Sequence, residues 1–150
     1  MNEDEKFMKL ALKEADKAEA KGEVPIGCII VVDGKVIAKA HNLRETKKDP
    51  TAHAEIIALR KAGKKLGDWR LEDAVVYVTC EPCPMCAGAL VWARIKKLVY
   101  GCSDPKAGAI NSLYGIGRDK RLNHRFEVKS GVLAEECAER LKRFFKKKRR

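Results

Sequence analysis

The residues in this chain with the means to do chemistry lie in two short stretches, His53-Ala54-Glu55 and Pro82-Cys83-Pro84-Met85-Cys86. Zinc takes imidazole and thiolate ligands in a tetrahedral site. A catalytic zinc site uses three of them and leaves the fourth position to a water, whose pKa falls toward about 7. His53, Cys83 and Cys86 form such a set, and two thiolates with a neutral imidazole balance the charge of the metal. Glu55 stands two residues beyond His53. Hydrolytic removal of an amino group from a ring carbon needs a proton taken from water, one given to a ring nitrogen and one given to the departing amine. A single carboxylate can carry all three, and Glu55 is the candidate.

The same residues admit other readings. A C-x-x-C on its own serves as a redox pair or as half of a structural zinc site. Cys80, Cys83, Cys86 and His53 together would close a four-ligand structural site with no room for water. Such a site has no use for Glu55, and structural zinc commonly takes its ligands as two separated pairs. Cys80 reads instead as the end of a strand.

Helix starts must position these groups. Pro84 suits the first helical position, where its missing N–H would have been unpaired anyway. That places Cys83 at the cap and Cys86 one turn in, on the same face, with the positive helix end favouring both thiolates. Asp49-Pro50-Thr51 reads as the opening of a helix through Ala62, with His53 and Glu55 in its first turn. Residues two apart do not share a helix face. At an open helix end, however, one can point to a metal and the other over a pocket. Residues 74–79, Ala-Val-Val-Tyr-Val-Thr, read as a buried strand aimed at the Cys83 helix, which runs to about Ala93.

Around these lie a helix over residues 2–21 capped by Asn2, a continuously apolar strand over 26–32, an Asp33-Gly34 hairpin turn and a strand over 35–41. Asn42 opens a polar loop beside the expected metal. Its amide offers donors and acceptors for a purine edge, or it caps a turn. A strand over 97–101, a loop with at most a short helix over 102–123, a strand over 126–129 and a helix from 133 to about 147 complete the chain. Leu133, Cys137, Leu141, Phe144 and Phe145 form the apolar stripe of the last helix. The pattern is α/β.

The chain has 150 residues, enough for one domain with a sizeable core. No apolar run approaches the length of a membrane helix, and the acidic start is not a secretory signal. Six cysteines without such a signal point to a reducing compartment, the cytoplasm. The net charge is +11, yet residues 140–150 hold eight Lys or Arg and no acid, so the other 139 residues net only +3. A charge run of this kind is either a solvated tail or the footprint of a phosphate-binding surface.

The arrangement H-x-E…P-C-x-x-C is the signature of zinc nucleobase deaminases. The chain resembles the bacterial tRNA-specific adenosine deaminases, the TadA family of the cytidine deaminase-like superfamily, over nearly its whole length. The resemblance rests on Gly22 to Gly27, His41-Asn42, Asp49 to Glu55, Tyr77 to Ala89, Gly101 to Ala109, Leu122 to Arg125, Gly131-Val132-Leu133, Glu136-Cys137 and Phe144-Phe145. It implies a single deaminase domain over residues 1–150, built as a three-layer sandwich: a mixed five-stranded sheet with helices on both faces. It also implies a homodimer. One zinc ion per subunit would be held by His53, Cys83 and Cys86, with Glu55 as proton shuttle. The reaction would convert the wobble adenosine of a tRNA anticodon loop to inosine. Asn42 and the Ala54 backbone would contact the base. Asp104, Lys106, Asn123, Phe145 and the basic tail would line the path of the RNA. A single-stranded loop makes extrusion of the base cheap, and phosphate contacts would make binding weaken with salt.

Two competing functions keep the same zinc residues. A free-base or nucleoside deaminase, acting on guanine or cytosine, would not need a polybasic end. A zinc-stabilised RNA-binding module without catalysis would not need Glu55.

Overall fold

The computed structural model describes residues 1–148. The order of elements is α1 (Glu3–Ala20), β1 (Gly27–Val32), β2 (Lys35–His41), α2 (Ala54–Leu66), β3 (Val75–Cys80), α3 (Pro84–Trp92), β4 (Lys97–Cys102), β5 (Glu127–Lys129) and α4 (Ala134–Lys148). The strands form one mixed sheet in the order β2-β1-β3-β4-β5. β1 pairs antiparallel with both β2 and β3, whereas β3–β4 and β4–β5 are parallel.

Apolar residues alternate across β1 in a way that explains its unbroken hydrophobic run. Cys28 and Ile30 face a core with Ile57 and Ala58 of α2 and Leu90 and Val91 of α3. Ile29 and Val31 face a second core with Phe7, Met8 and Leu12 of α1 and Cys137 of α4. The result is the expected three-layer α/β sandwich, with α1 and α4 on one face and α2 and α3 on the other. Gly27 is required where α1 crosses β1, because a Cβ there would collide with the Ala11 carbonyl. Among the described residues, no helix is long and apolar enough to cross a membrane.

Local signals explain most boundaries. Asn2 and Glu5 close a reciprocal capping box at α1. Asp33 and Gly34 both take positive φ, 51° and 75°, as a tight hairpin turn with right-handed strand twist demands.

Three expectations need adjustment. α2 begins at Ala54 rather than at the Asp49-Pro50-Thr51 segment, because the Asp49 carboxylate is spent on a local turn with Thr51. It also continues through Gly63 to Leu66 and stops at Gly67, whose φ of 71° supplies the left-handed C-cap. Residues 103–126 form turns without a helix. In the stripe of α4, Phe144 is buried but Phe145 points outward and is 46% exposed.

Candidate active site

Two helix starts meet at the end of β3. His53 is the N-cap of α2, with extended φ and ψ of −77° and 155°, and Cys83 is the N-cap of α3, with Pro84 next. A residue in extended conformation turns its side chain away from the helix that follows. His53 and Glu55 therefore need not share a helix face to look into the same cavity. Cys86 lies one turn into α3 and is fully buried.

The His53 Nδ1 atom is 3.6 Å from Cys83 Sγ and 3.5 Å from Cys86 Sγ. All three ligand atoms fall within 4.8 Å of one another. Tetrahedral zinc with bonds of about 2.3 Å to sulfur and about 2.1 Å to nitrogen sets the S···N separation at about 3.6 Å, so the donor set and its spacing both fit that ion. Cys80 is outside this group. It closes β3, pairs in register with Cys102 of β4, and lies in the wall of the cavity.

The electrostatics follow from burial and contact. A hydrogen bond from Cys86 and another from His53 pull the Cys83 thiol down to about 4. Cys86 is pushed up by that same bond and by burial. The Cys83 thiolate in turn raises the His53 imidazole above its ordinary value. Glu55 is only 4% exposed, and burial, reinforced by the Cys83 charge, lifts its carboxyl to about 7. A carboxyl poised there can both take and give a proton near neutral pH.

These groups face a cavity of about 140 Å³, room for one heteroaromatic ring system and not for a duplex. Of the residues expected to contact substrate, Asn42, Ala54 and Asp104 line it. Asn42 also caps a turn: its Oδ1 accepts from the Arg44 N–H at 3.1 Å while Nδ2 donates to the Val24 carbonyl at 3.3 Å. Ala54 is the first residue of α2, a position whose N–H has no partner inside its own helix. Lys106 is exposed beside Asp104, whose carboxylate accepts its N–H. Asn123 is exposed and lies toward the opposite end of the sheet, since the adjacent His124 bonds the carbonyl of Ile95, just before β4. Phe145 lies on α4, edge-on to Phe144, and does not line the cavity.

Several wall residues escaped the sequence reading: Val24, Ile26, Arg44 and Glu81. Arg44 belongs to the loop expected beside the metal, and Glu81 stands within the Cys80-to-Cys86 motif, so position pointed to both. Their roles depend on contacts distant in sequence.

The family model of the MafB19-like deaminases matches residues 1–149, and the chain is therefore a deaminase by family. It is 54% identical to the tRNA-specific adenosine deaminase of Bacillus subtilis (strain 168), over 100% of this chain and 93% of that protein. A solved structure from a study of A-to-I editing by tRNA:A34 deaminases at the wobble position of transfer RNA aligns with a TM-score of 0.87. Its identity is 47%, over 90% of this chain and 98% of that one. The guanine deaminase of Bacillus subtilis is more distant, at 38% identity and a TM-score of 0.65 over 75% of this chain and 82% of that one. This chain belongs to the tRNA-specific adenosine deaminases and has their cytidine deaminase-like fold.

The raised Glu55 value has a measurable consequence in chelated protein. In the unfolded chain the carboxyl titrates near 4.5 and in the folded one near 7. Its contribution is neutral below about pH 4.5 and grows into a penalty as pH rises to 7. Glu55→Gln should therefore stabilise the metal-free protein at pH 8 by on the order of 3 kcal/mol and leave it unchanged at pH 4.5. Urea unfolding at the two pH values checks this; equal stability at pH 8 contradicts it.

Proposed function

We propose that this enzyme, a single deaminase domain over residues 1–150, hydrolyses the wobble adenosine of a tRNA anticodon loop to inosine with one zinc ion per subunit. The observation that carries the reading is the His53–Cys83–Cys86 triad, at S···N distances of 3.6 and 3.5 Å, facing a buried Glu55. His53, Cys83 and Cys86 would hold the zinc. Bound there, the ion would supply Lewis acidity that makes water a nucleophile at neutral pH.

The chain's own groups do the rest. Glu55 takes a proton from the attacking water and delivers it to the purine ring nitrogen; it then takes the second water proton, from the hydroxyl now on the ring carbon, and delivers it to the amine, which departs as ammonia. Burial holds its carboxyl above the ordinary range in the metal-free fold, and a bound cation would lower it, so that it would begin each turnover unprotonated and hold a proton in between. Asn42 keeps one N–H and one lone pair beyond its bonds to Val24 and Arg44, and these would orient the base edge. The Ala54 N–H would serve the same base. The small cavity admits the adenine only after it leaves its stack, as a loop nucleotide readily does. Asp104 lines the cavity, and the exposed Lys106 would meet the RNA beside it. Asn123 and Phe145 would meet RNA beyond the base, together with the basic end of α4. Arg149 and Arg150 of that tail lie outside the described residues.

The homodimer is part of this reading. Trp69 and Trp92 are 58% and 68% exposed on the α2–α3 side, with Arg70 and Arg94 stacked against them. Aromatic surface of that extent favours burial against a second copy. We assign the enzyme to the cytoplasm, where its six free thiols would stay reduced.

A second reading, deamination of a free base, draws on the likeness to guanine deaminase. One assay separates them. Wild type should form inosine in an anticodon stem-loop carrying a wobble adenosine, and Glu55→Ala should lose at least about a thousandfold in rate. RNA binding should weaken steeply with salt. Turnover of guanine, cytosine or cytidine without inosine would reject the tRNA reading, and an active Glu55→Ala would reject the role of Glu55. Sedimentation should give a two-chain mass that Trp92→Ala reduces; a monomeric wild type would reject the dimer.

A further inference from the structure

Two glutamates are sealed beneath the loops that wall the cavity. Glu81 is 3% exposed and Glu23 is 1% exposed. In a chain of net charge +11, buried carboxylates would be expected to pair with Lys or Arg. Among the described residues neither forms an ion pair. Main-chain amides hold both instead.

Glu81 binds the loop that follows β4. Its Oε1 accepts from the Asp104 N–H at 3.1 Å and the Ser112 hydroxyl at 2.6 Å. Its Oε2 accepts from the N–H groups of Ile110, Asn111 and Ser112 at 3.1, 2.8 and 3.0 Å. The loop wraps so closely that a Cβ on Gly108 would collide with the carboxylate. Glu23 does the same for the loop that follows β2. Its two oxygens accept from the N–H groups of Glu45 and Thr46, at 3.1 and 2.6 Å. The first loop brings Asp104 and Ala107 to the cavity; the second brings Asn42 and Arg44.

Satisfying these charges from the main chain has two effects. The shape of each wall is set without enlisting a basic side chain, so Lys47, Lys48 and Lys106 remain exposed to meet a polyanion, as does Arg44, which makes only a surface pair with its neighbour Glu45. Each loop is also ordered before substrate arrives, so its ordering does not subtract from binding.

We propose that Glu81 and Glu23 are positioning residues for the deamination, each holding one loop wall of the cavity in its RNA-receiving shape. This inference rests on the function proposed above. Neither carboxylate need touch the substrate.

The test uses full-length Glu81→Gln and Glu23→Gln, each of which turns an amide donor toward main-chain donors. Ser112→Ala, which removes one bond from the Glu81 cluster, is the milder variant should Glu81→Gln fold poorly. Zinc content, kcat and KM for the anticodon stem-loop, and residue-resolved amide exchange are measured together. The expected result is a KM raised roughly tenfold, with kcat within about threefold and zinc still at one per chain. Ser112→Ala should shift KM less. Exchange should quicken at Asp104 and residues 110–112 in Glu81→Gln, and at Glu45 and Thr46 in Glu23→Gln. Unchanged KM with falling kcat and zinc would overturn the proposal, since the glutamates would then merely support the metal ligands. Unchanged exchange at those amides would overturn it too. Absence of inosine from the wild type would instead reject the substrate reading, leaving amide exchange to decide the anchoring.

Discussion

Three potential ligand atoms at the starts of two different helices lie within 4.8 Å of one another, and bringing them together is the constraint that organises the molecule. His53 and Cys83–Cys86 are 30 residues apart in sequence, and only the end of β3 brings them together. β3 is central in the sheet, antiparallel to β1 and parallel to β4. Its carboxyl end lies beside that of the parallel β4, and the carboxyl ends of parallel strands are where open α/β sheets bind ligands. Burial of β3 on both faces fixes that end, and the two helix starts then present their N-caps across it. The positive ends of α2 and α3 favour the thiolate charge.

Much of this was legible from residue types and spacing. Pro84 marked the start of α3, Asp33-Gly34 the hairpin, and the apolar run in β1 its double burial. The start of α2 is misplaced because an Asp carboxylate serves a turn and a helix cap by the same kind of hydrogen bond; only the geometry shows that the donor to Asp49 is Thr51. Phe144 and Phe145 are adjacent in sequence, so a helical stripe cannot contain both equally, and one of them had to face outward. The carboxylates of Glu23 and Glu81 were out of reach of sequence reading because their partners lie more than 20 residues away and, the Ser112 hydroxyl apart, are main-chain groups, which carry no residue identity.

Charge is allocated in the same spirit. Arg140 and Arg143 of α4 are tied to Asp16 and Glu19 of α1. Such exposed pairs are each worth only about 0–1 kcal/mol. They link the basic helix to α1 on the same face of the sheet. Glu23 and Glu81 are spent mainly on backbone amides, and Asp16 and Glu19 on fastening a helix, which leaves exposed basic side chains on the loops beside the cavity.

Zinc content of purified Cys80→Ser and Cys86→Ser proteins decides whether the proposed metal site is open, with three protein ligands. One zinc per chain is expected in Cys80→Ser, as in the wild type, and none in Cys86→Ser. Loss of zinc from Cys80→Ser would instead mean a closed four-ligand structural centre.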